Sequence, residues 1–195
     1  PSDSALRFTK LRALVIANCK LTGTIPLWLT NSERLEVLDL SWNQLEGAIP
    51  SWFGGFQFLF YLDLSNNSLT GEIPKELTQL NSLISKSKTL DKPPPDLPFF
   101  VKRNVSAGGL QYNQILSLPP TLELGNNFLT GQIWPEFGNL KMLHFLDLKF
   151  NNLSGIIPSE LSGITSIECL DLSHNNLSGA IPPSLVNLSF LSTFS

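Results

Sequence analysis

Residues 143–158 read LHFLDLKFNNLSGIIP. Leucines stand at 143, 146, 148 and 153, with Asn151, Gly155 and the pair Ile157-Pro158 at fixed distances behind them. Each position has a physical task. The L-x-x-L-x-L leucines point into a core from one short strand. The asparagine amide serves backbone groups that the following turn leaves free, as buried polar groups require. The glycine lets the chain turn with positive φ. The Ile-Pro pair opens a second extended segment on the far side of the unit.

The same spacing recurs along the chain. The first leucine falls at Leu11, Leu35 and Leu59, then at Leu143, Ile167 and Leu191, in steps of 24. Asparagines follow at Asn43, Asn67, Asn127, Asn151 and Asn175, with Cys19 in the first place. Glycines fall at Gly23, Gly47, Gly71, Gly131, Gly155 and Gly179. Ile-Pro recurs in every unit but the fourth, where Trp134 follows Ile133. No single unit can bury its leucine face alone, so the units must stack. Segments such as SWFGGFQFL and PSELSGITSI then turn back to the next strand as helical or 3₁₀ pieces. Six matches at one period are a specific signal. The predicted fold is an α/β solenoid with short parallel strands on its concave side.

One stretch breaks the period. The fourth unit must start at Pro119, which leaves 36 residues beyond the 24-residue step from Leu59. The expected organisation is repeats over 1–83, an island insertion over 84–118 and repeats over 119–195, one continuous solenoid. Both termini look like cuts through a longer array, since no polar cap is recognisable.

Bulk properties narrow the function. The 195 residues are 42% apolar and 15% charged, with net charge −3. That balance argues against a nucleic-acid partner, which demands a strongly basic face. No apolar run reaches the ~18 residues needed to cross a bilayer, so no direct membrane contact is expected of this fragment. Cys19 and Cys169 lie five rungs apart, roughly 24 Å at ~4.8 Å per rung, too far for a disulfide. Both are expected as free thiols. His144 and His174 stand alone without metal-ligand spacing. No nucleophile-base grouping or phosphate loop is present. We expect no enzyme activity, cofactor or metal in this chain.

The variable strand positions line the concave face in columns. One reads Val15, Asp39, Asp63, Glu123, Asp147, Asp171. As part of the strand's own L-D-L pattern, these acids are expected to form a solvated ladder that bonds along the sheet, with Asp39 the main candidate for ligand contact. A second column reads Asn18, Trp42, Asn66, Asn126, Phe150, His174. Trp42 and Phe150 are large aromatics at outward positions, and Trp42 is the stronger contact candidate.

The island divides into three. Ile84 to Lys92 is polar, Pro93-Pro94-Pro95 favours a stiff extended conformation, and LPFFVKRN over 97–104 is strand-like. Alternation places Phe99, Val101 and Arg103 on one side and Phe100 and Lys102 on the other. Gly108-Gly109 makes a turn and LQYNQILSL returns to the solenoid. Five cations against Asp91 and Asp96 give the island +3, leaving −6 for the rest. Insertions this long are often functional. An exposed strand edge here could accept an extended peptide by β-augmentation.

The L-T/S-G-x-I-P unit resembles the plant-specific subfamily of leucine-rich repeats. That resemblance implies extracellular proteins, among them receptor-kinase ectodomains and pectinase inhibitors. Sequons at Asn66, Asn104, Asn152, Asn176 and Asn187 fit a secreted glycoprotein. Inhibitors of pectinases run the same period without interruption, so the insertion counts against that alternative. Steroid-receptor islands are longer and have their own core. KPPPDLPFFVKRN followed by LQYNQILSLPPTLELGNN is similar to the island of the phytosulfokine receptor family of leucine-rich-repeat receptor kinases. This resemblance implies binding of phytosulfokine, a pentapeptide with two sulfated tyrosines, as a strand beside the island. It also implies recruitment of a somatic-embryogenesis receptor-like kinase as co-receptor, at the outer side of the plasma membrane. The kinase of such a receptor lies in a separate cytoplasmic domain. By position, the implied ligand contacts are Asn18, Asp39 and Trp42 on the inner face, with Phe100 and Lys102 on the island.

Overall fold

The computed structural model describes residues 8–85, 99–101, 110–112 and 118–195. Strands are numbered in chain order. The inner sheet has seven parallel strands: β1 (Ala13–Val15), β3 (Val37–Asp39), β5 (Tyr61–Asp63), β9 (Thr121–Glu123), β11 (Phe145–Asp147), β13 (Cys169–Asp171) and β15 (Thr193–Phe194). Neighbours pair in register one repeat apart, Val37 lying opposite both Ala13 and Tyr61. Strand β5 pairs directly with β9, Asp63 opposite Glu123. The sheet therefore crosses the point of insertion without a missing rung. On the outer side the same continuity holds, the Met142 amide donating to the Leu83 carbonyl at 2.8 Å.

The leucines do what their spacing predicts. Leu35, Leu38, Leu40, Leu59, Leu62 and Leu64 are all buried in one core that runs the length of the described solenoid. Each fully buried leucine side chain stabilises by about 1.5–3 kcal/mol, but only if the adjacent rung covers it. Stability is thus shared between neighbours.

The asparagine ladder holds the turns. Asn67 Nδ2 donates to the carbonyls of Leu40, Leu64 and Ser65, while its Oδ1 accepts from the Leu45 amide. Asn127 repeats this on the other side of the insertion, donating to Leu64 O at 3.0 Å and accepting from Leu69 N at 3.0 Å. Cys19 has a single thiol donor where the ladder has an amide, and gives it to the Ala17 carbonyl at 3.3 Å. Its backbone amide is caught by Asn43 Oδ1, and its thiol is exposed. Cys19 and Cys169 are both free thiols.

A second set of parallel strands flanks the first: β2 (Thr22–Gly23), β4 (Gln44–Ala48), β6 (Ser68–Glu72) and β10 (Phe128–Thr130) form one sheet, β12 (Ser154–Ile156) and β14 (Asn176–Ser178) another. These strands lie ahead of the Ile-Pro pair, where the sequence pattern placed the start of the extended segment. Proline has no N–H to give a ladder, so pairing ends before it. The pair instead leads into a 3₁₀ turn, as at Ser51–Gly55 and Ser159–Gly163. The sole α-helical turn among the described residues, α1 (Asn81–Ile84), stands at the entrance to the insertion.

In the fourth repeat Trp134 holds the backbone that proline holds elsewhere, with φ −69° and ψ 127°. Pro135 behind it enforces that extended conformation. The freed side chain is used: Trp134 Nε1–H donates to the Ile73 carbonyl at 2.7 Å, and Lys75 Nζ lies 5.3 Å from the ring centroid. Lys75 also pairs with Glu136 at 2.6 Å. Repeats three and four are thereby tied on the outer side, where the chain between them departs.

Candidate functional site

The insertion carries two described strands. Strand β7 (Phe99–Val101) runs antiparallel to β8 (Leu110–Tyr112), with Phe99 opposite Tyr112, Phe100 opposite Gln111 and Val101 opposite Leu110. The returning segment is thus a partner strand over part of its length. Among the described residues β7 pairs with β8 alone, so one edge of β7 is taken and the hairpin has an outer edge beyond it. Lys102 and Asn104 lie outside the described residues. The insertion rejoins the solenoid at Leu118, which is buried against Val37 and Tyr61.

That contact reveals a column the sequence reading passed over. Val37 and Tyr61 face the concave side from successive strands and form a small apolar cluster with Leu118, flanked by Ala13, Val15 and Phe60. The signal was present as two large side chains at outward strand positions just before the insertion. The acids two residues later share that outward face and obscure the signal.

The acids themselves differ from expectation. Asp39 and Asp63 are fully buried, and Glu123 is 8% exposed; only Asp147 and Asp171 are partly open to solvent. Nor do Asp39 and Asp63 bond along the sheet. Asp39 Oδ1 accepts from the Ser41 amide at 2.9 Å and its hydroxyl at 2.6 Å. Asp63, Asp147 and Asp171 each accept the amide two residues on in the same way. These are Asx turns, and their first role is to bend the chain out of the strand. The next column has positive φ in every repeat, including the first, where Val15 offers no Asx turn: Asn18 57°, Trp42 55°, Asn66 55°, Asn126 55°, Phe150 50° and His174 54°. Asparagine tolerates that region and bulky residues seldom enter it. Trp42 and Phe150 therefore take a backbone conformation that the repeat imposes at this column.

Burial pushes the Asp39 carboxyl above its usual pKa, with Ser41 opposing. Asp63 is pushed well above, first by burial, then by the charges of Glu123 and Asp39 on either side. Burial also raises Asp147, where Lys149 opposes it. Lys149 Nζ lies 2.7 Å from Asp147 and 3.5 Å from Asp171, so this end of the column has its own cation.

Of the inner-face contacts implied by resemblance, Asn18 is exposed, Trp42 half-buried and Asp39 buried. Asn18 donates its backbone amide to the Ser41 carbonyl at 2.9 Å, which ties the first repeat to the second next to Trp42. At the other end Phe150 stacks on His174, 4.0 Å between centroids and 6° between planes. The sequon asparagines Asn152, Asn176 and Asn187 are exposed, whereas Asn66 is half-buried and its Nδ2 donates to Ser65 Oγ at 3.1 Å. Among the described residues no group of three or more His, Cys, Asp or Glu could hold a metal ion, and no helix is long and apolar enough to cross a membrane.

The sequence pattern of the leucine rich repeat family matches residues 9–69 and 120–177, together more than half of the chain, and passes over the insertion. Phytosulfokine receptor 1 of Arabidopsis thaliana is 66% identical over 150 residues, covering 77% of this chain and 15% of that receptor. Phytosulfokine receptor 2 of the same plant is 59% identical over 133 residues, 67% of this chain and 13% of the relative. The chain thus spans about one seventh of the length of these relatives. Among solved structures, the plant peptide hormone receptor RGFR1 in complex with RGF2 superposes with a TM-score of 0.61 at 26% identity, over 95% of this chain and 28% of that one. With one 24-residue unit repeated through a continuous parallel sheet, and the family pattern matched on both sides of the insertion, the chain belongs to the leucine-rich-repeat family.

Proposed function

We propose that this chain is the ligand-binding part of a plant peptide-hormone receptor, held at the outer side of the plasma membrane. Its ligand is the sulfated pentapeptide phytosulfokine, which adds as a strand to the hairpin of the insertion. The bound peptide then favours a somatic-embryogenesis receptor-like kinase as co-receptor. The observation that carries this reading is the 66% identity to phytosulfokine receptor 1. The two-stranded hairpin, with an edge beyond β7, supplies the backbone chemistry that strand addition needs.

Charge supports the same ligand. The insertion carries a charge of +3 against −6 for the rest of the chain, and a doubly sulfated peptide is anionic. Lys102 is the cation for one sulfate, Phe100 the apolar contact beside it, and Asn18, Asp39 and Trp42 the inner-face contacts. Asp39 has no exposed surface and its Oδ1 is held by Ser41, so it accepts a hydrogen bond from the peptide only where Oδ2 is uncovered. Asn152, Asn176, Asn187 and Asn104 are glycan acceptors, and Asn66 accepts one once its amide leaves Ser65.

Calorimetry of the intact ectodomain with sulfated and unsulfated pentapeptide tests the reading; no heat with either peptide ends it. Lys102→Glu should weaken sulfated peptide about 10–100-fold, the worth of one charge-assisted hydrogen bond or a little more. Unsulfated peptide should lose less than about 3-fold. Equal losses would show that Lys102 does not read sulfate.

A further inference from the structure

Two exposed phenylalanines flank one sequon. Phe150 stands two residues before Asn152, and Phe128 holds the place of Asn152 one 24-residue unit earlier. Phe128 is 56% exposed and Phe150 46%. Asn151, between Phe150 and Asn152, is turned inward, where its Nδ2 donates to the carbonyls of Leu124, Leu148 and Lys149. Its neighbours on either side are thrown outward together, and both are exposed. The Asn152 amide donates to the Leu129 carbonyl at 2.8 Å, and the Asn127 amide to the Phe150 carbonyl at 3.2 Å. Phe128 is thus held on the adjacent rung between those two bonds.

The Phe150 ring is fixed before any sugar arrives. His174 stacks on one of its faces, 4.0 Å between centroids and 6° between planes, so the surface that Phe150 keeps exposed belongs to its other face and its rim. Asparagine enters the positive-φ region of this column more easily, and the repeat takes it at Asn18, Asn66 and Asn126. Phenylalanine gives up that ease and leaves an apolar ring in water. The other described sequons lack such a surface. Two residues before Asn66 and Asn187 stand Leu64 and Leu185, both buried. Before Asn176 stands His174, whose imidazole is already stacked on Phe150.

We propose that Phe128 and Phe150 are a seat for the first N-acetylglucosamine of a glycan on Asn152, so that this sugar packs on the solenoid as part of its structure. That Asn152 carries a glycan rests on the function proposed above; the seat does not follow from it. One face of a pyranose is lined by axial C–H bonds with partial positive charge, and the face of a phenyl ring is its negative complement. The sugar covers apolar surface that would otherwise stay wet. Only the folded turn brings the two rings and the glycan together, so the contact forms in the native state alone and stabilises it. A glycan on Asn187, with no exposed ring behind it, has only its bulk and solubility to offer.

The test uses the ectodomain secreted in high-mannose form and trimmed enzymatically to one N-acetylglucosamine per site. NMR of the sugar on Asn152 should show its ring protons displaced upfield by the phenyl ring current. Phe150→Ala should move them back toward the position of the sugar on Asn187. Thermal unfolding gives the second reading. Asn152→Gln should lower the melting temperature by about 2 °C or more, and should change nothing measurable once Phe128 and Phe150 are both alanine. Asn187→Gln should have the same effect with or without the two rings. Undisplaced protons on a glycosylated Asn152, or a loss in Asn152→Gln that the alanines leave unchanged, overturn the proposal. If the double alanine variant does not fold, the spectrum of the wild-type glycoprotein decides. A bare Asn152 in the mass spectrum overturns the seat together with that acceptor assignment. Failure to bind the pentapeptide sinks the proposed receptor role and leaves the sugar result standing.

Discussion

Asn67→Ala is expected to cost about 3–5 kcal/mol, measured by urea unfolding. The estimate comes from counting what the alanine leaves behind. The Leu45 amide loses its acceptor, and the carbonyls of Leu40, Leu64 and Ser65 each lose a donor. A buried group left unpaired costs about 1–3 kcal/mol. The carbonyls have second lone pairs and neighbouring amides, so the amide of Leu45 dominates. That residue is 2% exposed, beyond easy reach of water. Asn43→Ala makes the comparison, since the amides its Oδ1 serves belong to the exposed Cys19 and the half-buried Leu21, where water can replace it. It should cost about 1 kcal/mol. A domain has about 5–15 kcal/mol in all, and a solenoid shares it between neighbouring units. We therefore expect Asn67→Ala to split the unfolding transition, the repeats before it melting ahead of those after it. A loss below about 1 kcal/mol would show that the ladder is dispensable.

The same asparagine explains what was legible in the sequence. Period, ladder, leucine core and the resumption of phase after the insertion are all set by residues that must recur in every unit. One chain with six copies displays them. The sheet pairing of Tyr61 with Thr121, 60 residues apart, follows from that phase alone. Features confined to one or two units were harder. The Asx turns were hidden because aspartate next to leucine reads as strand pattern, while its real partner is the amide two residues on. Positive φ at Trp42 and Phe150 contradicts local preference and is imposed by the repeat, since the same column holds it at Asn18 behind Val15. Burial of Asp39 and Asp63 depends on what covers the concave face. No periodic pattern encodes a cover. Trp134 shows the converse: a departure from the Ile-Pro rule was visible, yet its role as a tie between repeats three and four needed coordinates. Departures from a repeat mark where function or repair has been added, and both occur within reach of the insertion.

Methylating the backbone amides of the pentapeptide one at a time should give an alternating loss of affinity. In a strand added to an edge, successive residues direct their N–H and C=O groups toward and away from the partner. Methyl groups on amides facing β7 remove a hydrogen bond and push the strands apart; those on the other amides touch solvent. A lost bond is worth about 1 kcal/mol and the clash adds at least as much, so about 30-fold is expected at facing positions. Positions between them should lose less than about 3-fold. A uniform profile would rule out strand addition, whichever side chains the peptide uses. The receptor side offers a matching test, because β7 alternates too. Phe100 and Val101 are adjacent, so their amides point to opposite edges. Strand β8 takes one edge. Proline at one of the two residues must break the hairpin, and at the other must remove only a donor from the outer edge, a position where proline is tolerated. Hydrogen exchange at Leu110–Tyr112 separates them: protection is lost in one variant and kept in the other. The variant that keeps its hairpin should still lose binding. If it binds normally, the peptide does not sit on the outer edge of β7, and Lys102, whose turn in the alternation follows Val101, cannot be aimed at a sulfate by that strand.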